Sequence, residues 1–218
     1  STKLFDVIRM DHFIGFVKNY MVPKDATDAS GGRWMKGPGR KLTDALNSVL
    51  NGTTVIADDY GGKALIPGVK KLLAKTGWLD TKVLMFAFDG DPSNEHLPHN
   101  YPENCVAYTG THDNETIVGW WKSITAAERK LARDYLCDHA TPEEELYKCF
   151  ISLIMRSAAR VCVIPMQDYM GLDNRFRMNK PSTVGMNWKW RIKKRDLTKK
   201  LQKEIYDVTL RYGRKNWD

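Results

Sequence analysis

Five apolar runs in this chain each end on an acidic residue, and helical stretches separate them. The runs are Leu4–Met10 before Asp11, Thr53–Ala57 before Asp58 and Asp59, Lys82–Phe88 before Asp89, Cys105–His112 before Asp113, and Ala159–Gln167 before Asp168. Short β-rich runs alternating with helices specify an α/β class, with parallel strands joined by crossover helices. In such folds the reactive side chains gather at the carboxyl ends of the strands. A row of carboxylates at strand ends therefore reads as an active-site rim, and the chain reads first as an enzyme.

Helix signals fill the spaces between the runs. Lys41–Leu50 carries Leu42, Ala45, Leu46 and Val49 on one side and stops at Asn51-Gly52. Ile66–Lys75 is a second helix, followed by Glu115–Ser123, Ala126–Cys137 and Pro142–Ser157. Thr141 before Pro142 reads as the N-cap of the last of these. Asp25–Arg40, Asp89–Asn104 and Tyr169–Asn187 read as long polar loops, and loops that follow strand ends are where function concentrates.

Charge looks at first like a nucleic-acid signal, because the formal net charge is +8. Residues 189–215 alone hold 11 Lys/Arg against 3 Asp/Glu, which accounts for the whole excess and leaves the rest neutral. Leu197, Leu201, Ile205, Val208 and Leu210 recur in that segment mostly at helical spacing, so it reads as a terminal amphipathic helix with a solvated basic face. No aromatic-interleaved platform accompanies it, and nucleic acid is not an expected partner. Neither is a membrane, since no apolar run approaches a spanning length. Cys105, Cys137, Cys149 and Cys162 are far apart, form no CxxC pair and read as buried free thiols, which points to the reducing cytoplasm.

Three strand ends carry the chemistry. In Arg9-Met10-Asp11-His12-Phe13, Arg9 stands two residues before Asp11 on the same face and keeps that carboxylate ionised and oriented, as a glycosidic nucleophile must be. A purely structural Arg–Asp pair is the alternative. Val55-Ile56-Ala57-Asp58-Asp59-Tyr60-Gly61 places adjacent acids on opposite sides of a strand end. Tyr108-Thr109-Gly110-Thr111-His112-Asp113-Asn114-Glu115 is dense in polar groups, and His112 with Asp113 can grip sugar hydroxyls; Asp113 as a helix N-cap is the competing reading. His12, His96, His99 and His112 lack metal-ligand spacing, so no metal is expected, and no phosphate-binding or dinucleotide fingerprint is present.

These segments resemble the 4-alpha-glucanotransferases, also called amylomaltases or disproportionating enzymes. The resemblance is carried by FDVIRMDHFIGF (5–16), GRWMKGPG (32–39), VIADDYG (55–61), LMFAFDG (84–90), LPHNYPENCVAYTGTHDNETIVGWW (97–121), VIPMQDYMGL (163–172) and RMNKPSTVGMNWKWR (177–191), in that order along nearly the whole chain. It implies a (β/α)₈ TIM-barrel domain of which residues 1–218 form the C-terminal portion, strands four to eight with their helices, ending in the basic amphipathic helix. Asp11 then corresponds to the catalytic nucleophile, Asp58 to the general acid/base, and Asp113 to the carboxylate that stabilises the transition state. Arg9 and His112 would orient the nucleophile and contact the sugar, with Asn179 in support. The implied substrates are α-1,4-glucans and maltooligosaccharides, and no cofactor is implied.

Two positions depart from the family pattern. Asp58 stands where the family carries Glu, which pulls the proton-donating carboxyl back by one methylene. Ile14 stands where the family carries Arg, which removes a charge close to the nucleophile. The competing expectation is a weakly active or non-catalytic glucan-binding half-barrel that self-associates or pairs with an N-terminal half of the barrel.

Overall fold

The structure, a computed structural model, describes residues 2–58 and 65–215. The chain divides into two compact units, Ser1–Thr81 and Lys82–Asp218. The Asp59–Gly61 part of the second strand-end motif lies outside the described residues.

In the first unit, β1 (Val7–Met10) and β4 (Thr54–Ala57) pair in parallel, with Arg9 opposite Ile56 and Met10 opposite Ala57. Parallel pairing puts both carboxyl ends at the same edge, so Asp11 and Asp58 emerge side by side. His12 then adopts a left-handed conformation, φ 52°, which few non-glycine residues visit. That turn leaves Asp11 at the rim and drives Phe13 into the core, while the Phe13 amide donates to the Asp58 carbonyl at 2.7 Å. Phe13, Val55, Ala57, Val69 and Trp78 form the core, covered by α1 (Arg40–Asn47) and α2 (Ile66–Leu73). The Trp78 indole is fixed by donating to Asn47 Oδ1 at 2.7 Å.

The segment expected as a loop over Asp25–Arg40 contains half of an antiparallel hairpin. β2 (Lys18–Met21) pairs with β3 (Arg33–Lys36), and Tyr20 meets Trp34 edge-on at 5.3 Å. Gly37 lets the hairpin return against the preceding turn, because a Cβ there would collide with the Gly15 and Phe16 carbonyls.

The second unit holds a three-stranded sheet in the order β5-β6-β7, with β5 (Asp80–Val83) crossing the unit boundary. β6 (Cys105–Tyr108) and β7 (Val161–Val163) are parallel. The run Lys82–Phe88 is therefore strand only at its start. The Val83 amide donates to His96 Nδ1 instead of to a neighbouring strand, and Leu84–Phe86 turn into a 3₁₀ helix. β7 is likewise shorter than its apolar run. Pro165, which has no amide to donate, precedes the short helix α6 (Met166–Tyr169).

Around this sheet pack α3 (Ile117–Ser123), α4 (Ala126–Leu136) and α5 (Leu146–Met155), with Phe88, Trp120 and Phe150 meeting at 5.4–6.1 Å. Thr125 and Glu128 form a reciprocal capping box at the start of α4. Thr141 is not the N-cap of α5. Its hydroxyl and amide both go to Asp138, at 2.5 and 2.9 Å, and the helix begins only at Leu146. The basic segment forms α7 (Lys199–Arg211), docked on α5 through buried Leu201. Past its end, Arg214 donates to the carbonyls of Met155, Ser157 and Ala159, which satisfies carbonyls at the end of α5. Cys105 is buried, Cys149 and Cys162 are half-buried, and Cys137, the left-handed residue that ends α4, is exposed against expectation; all four are free thiols. Among the described residues no helix is long and apolar enough to cross a membrane.

Candidate active site

In the first unit one guanidinium holds two carboxylates. Arg9 Nη1 donates to Asp11 Oδ1 at 2.7 Å, and Arg9 Nη2 lies 2.6 Å from Asp58 Oδ2. The register of β1 and β4 produces this arrangement: Arg9 projects from the last turn of pleat before two adjacent strand ends, and its fork spans both. Asp11 is solvent-exposed, whereas Asp58 is only 5% exposed. Burial raises the Asp58 carboxyl above the usual carboxylate range; Arg9 opposes that rise and the neighbouring Asp11 carboxylate adds to it. Asp58 Oδ1 is buried with no hydrogen-bond partner among the described residues. A buried carboxyl whose proton affinity is raised by burial, beside one that is oriented and open to solvent, is the asymmetry that proton donor and nucleophile require.

Ile14 is a core residue, 3% exposed, packed in the same cluster as Phe13 and Val55. The side chain at position 14 therefore faces the interior, in the 3₁₀ turn that follows Asp11.

In the second unit the loop after β6 meets the loop carrying Asn179. Asn179 Nδ2 donates to Asp113 Oδ1 at 2.6 Å, and His112 Nε2 lies 3.4 Å from Asp113 Oδ2. The Asn179 amide also donates to the His112 carbonyl at 3.1 Å. His112, Asp113 and Asn179 thus come together as one cluster, with the Asp113 side chain 49% exposed. Asp113 does not cap α3; Thr116 does, accepting from the Gly119 amide at 3.1 Å. A cavity of about 190 Å³ adjoins the cluster, lined by His112, Asn114, Glu115, Gln167 and Arg177 among others.

Sequence reasoning placed neither Arg177 nor Trp188 in this cluster. Arg177 Nη2 donates to the Asp113 carbonyl at 2.9 Å and Nε to the Asn179 carbonyl at 3.3 Å, so one guanidinium bridges both loops. Trp188, with φ 63°, lays its ring 5.2 Å from the His112 ring. The signal for Arg177 was its place two residues before Asn179 in the same Arg-Met-Asn segment.

Two other strand-end acids serve structure. Asp168 is buried, accepts from Thr109 Oγ1 at 2.5 Å and from the Ile117 amide at 2.8 Å, and thereby ties β6 to the start of α3. Burial pushes its carboxyl up to about 6, against both hydrogen bonds. Asp89 is exposed and accepts from the Asp91 amide in a turn. Among the described residues no group of three His, Cys, Asp or Glu side chains is placed to hold a metal ion.

The sequence pattern of the 4-alpha-glucanotransferase family matches residues 1–198. The 4-alpha-glucanotransferase of Clostridium butyricum is 40% identical over 98% of this chain and 43% of its own length. The chloroplastic/amyloplastic 4-alpha-glucanotransferase of Solanum tuberosum is 40% identical over 98% of this chain and 37% of its own. The amylomaltase of Streptococcus agalactiae, solved in complex with acarbose, superposes with a TM-score of 0.89 at 33% identity, covering 99% of this chain and 43% of that one. The chain spans about two-fifths of the length of the curated relatives it matches. With a family pattern running over most of its length and carboxylates gathered at the strand ends that pattern includes, the chain belongs to the 4-alpha-glucanotransferase family.

Proposed function

We propose that this chain contributes residues to the transfer of α-1,4-glucan segments between maltooligosaccharides by a retaining double displacement. Asp11 attacks the anomeric carbon while Asp58 protonates the leaving glycosidic oxygen, giving a covalent glucosyl-enzyme. A sugar 4-hydroxyl, deprotonated by Asp58, then takes the chain and restores the α configuration. Asp113 offsets the positive charge that develops on the sugar ring. Arg9 orients Asp11, His112 contacts the sugar, and Asn179 fixes the Asp113 carboxylate. No metal or organic cofactor enters these steps.

The observation that carries this reading is the Arg9 fork, which holds an exposed carboxylate and a buried one of raised proton affinity at adjacent strand ends. The acarbose complex of the S. agalactiae relative supports a saccharide substrate. The fold proposed for the whole is the C-terminal portion of a single (β/α)₈ catalytic domain. Exposed Phe5 and Val7 at β1, and Val161 and Val163 at β7, give a self-association or a missing barrel half apolar surface to cover.

One observation favours a second reading, a weakly active glucan binder. Asp58 is short, buried and drawn toward Arg9, which withholds the carboxyl from a substrate oxygen. Incubating the chain and its Asp58→Glu variant with maltotriose, and separating products by size, decides between them. Glucose with longer maltooligosaccharides from both supports the transferase. Products from the variant alone assign the loss to Asp58, and products from neither reject transfer by this chain.

A further inference from the structure

We propose that Trp188 is a positioning residue for His112: its indole, carried on a strained loop, fixes the plane of the imidazole that meets the sugar. The imidazole's part in sugar binding rests on the function proposed above. A working imidazole is ordinarily oriented by a hydrogen bond at one of its ring nitrogens. Among the described residues the His112 ring has no such bond. Its Nε2 stands 3.4 Å from Asp113 Oδ2, longer than the roughly 2.7–3.2 Å of an N–H···O hydrogen bond. Its ring partner is Trp188, with centroids 5.2 Å apart and the planes inclined by 39°, a separation at which aromatic rings attract.

Burial does not account for where Trp188 sits. The residue is 51% exposed, and its backbone is left-handed, φ 63°. A bulky residue keeps that conformation only where its surroundings impose it. Here they do. The Trp188 amide donates to the Met178 carbonyl at 2.6 Å, and Arg191 Nη1 donates to the Trp188 carbonyl at 2.8 Å. Asn187 closes the loop just before it, accepting from the Lys180 amide at 3.0 Å and donating to the Thr183 carbonyl at 2.9 Å. Met178 adjoins Asn179, whose own amide donates to the His112 carbonyl at 3.1 Å. One loop thus grips His112 twice, at the backbone through Asn179 and at the ring through Trp188.

The rival reading is an indole that stacks on the sugar itself. The two differ in energetic coupling. A residue that acts through His112 loses its effect once His112 is gone, whereas an independent sugar contact keeps it.

The test is a double-mutant cycle on maltotriose binding to the full chain, measured by calorimetry and joined to proton NMR of the His112 ring without sugar. Trp188→Ala should weaken binding roughly three- to tenfold, the scale of one aromatic pair. Trp188→Phe, which keeps a ring, should bind like the natural chain. In the His112→Ala background, Trp188→Ala should cost nothing further. The His112 ring protons, identified by their loss in His112→Ala, should be shielded by the indole and move to unshielded positions in Trp188→Ala. Ring protons already unshielded in the natural chain overturn the contact. Additive losses overturn positioning in favour of a direct sugar contact, and a Trp188→Ala variant that binds like the natural chain overturns it while the proposed function stands. A natural chain that binds no maltotriose overturns the proposed function, and this role with it.

Discussion

The two units carry aspartates of the same chemistry in opposite settings. Asp58 in the first unit is buried, ion-paired on one oxygen and unpartnered on the other, and its carboxyl is raised by burial. Asp113 in the second unit is half open to solvent and surrounded by a side-chain amide and an imidazole, with its own carbonyl gripped by Arg177. Burial raises the proton affinity of a carboxyl, whereas exposure leaves its oxygens open to a substrate. The contrast teaches that role is set by the walls around a side chain rather than by its identity, and it can be broken experimentally from either side.

The largest expected effect tests reach on the buried side. Asp58→Glu lengthens the carboxyl past the guanidinium and should raise maltotriose transfer by about 10²-fold or more, the scale that general acid–base catalysis supplies. An unchanged rate would mean that Asp58 is not the proton donor.

Next comes the fork itself. Arg9→Met leaves Asp58 buried against Asp11 with no cation between them, and should cost about 3 kcal/mol of stability at pH 7.5. The sign with pH follows from the raised Asp58 carboxyl: in the variant the folded state holds that proton more tightly still. Stability is therefore retained at pH 4.5 and lost as the pH rises. Urea unfolding at the two pH values checks this, and equal losses at both would remove Asp58 from the account.

How much of this was legible in the sequence depends on how far each feature reaches along the chain. Helices were legible because their periodicity is local: α2 begins at the expected Ile66 and α4 at the expected Ala126. Apolar runs gave strand positions but not strand lengths. A run such as Leu84–Phe88 looks the same whether its amides bond a neighbouring strand or, as at Val83, a histidine thirteen residues away. The β2–β3 hairpin stayed hidden because its strands read Lys-Asn-Tyr-Met and Arg-Trp-Met-Lys, with no apolar-in, polar-out alternation. The acids were legible as strand ends, while their division into site and scaffold was not. Asp168 looks like Asp113 in sequence, and only the placement of Thr109 and Ile117 around it makes it a structural tie.

That tie gives the third prediction, somewhat smaller. Asp168 is almost fully buried with its carboxyl pushed up to about 6 from 3.8, so the folded state binds its proton more tightly than the unfolded chain does. Its contribution is present below the unfolded value and is lost as the pH climbs through about 6, a swing on the order of 2–3 kcal/mol. The difference in unfolding free energy between the natural chain and Asp168→Asn, measured from pH 3.5 to 7.5, should follow that curve. A flat difference would mean that another group sets the slope.

The smallest effect falls on the exposed side, and it sharpens the comparison most. Half of the Asp113 side chain meets solvent. Asp113→Asn should therefore change the unfolding free energy by less than about 0.5 kcal/mol, while the Asn179 amide loses its charged acceptor. If Asp113 serves as the charge that offsets the sugar's transition state, transfer falls at least about 10²-fold in that variant, although the fold scarcely registers the change. A loss in kcat at unchanged KM would match a group that acts in the transition state; a rise in KM alone would reduce Asp113 to a substrate contact. The same substitution type on the buried side, Asp58→Asn, should alter stability and activity together. An Asp113→Asn variant that is as perturbed in stability as Asp58→Asn would erase the distinction between the two aspartates, because both would then be structural before they were catalytic.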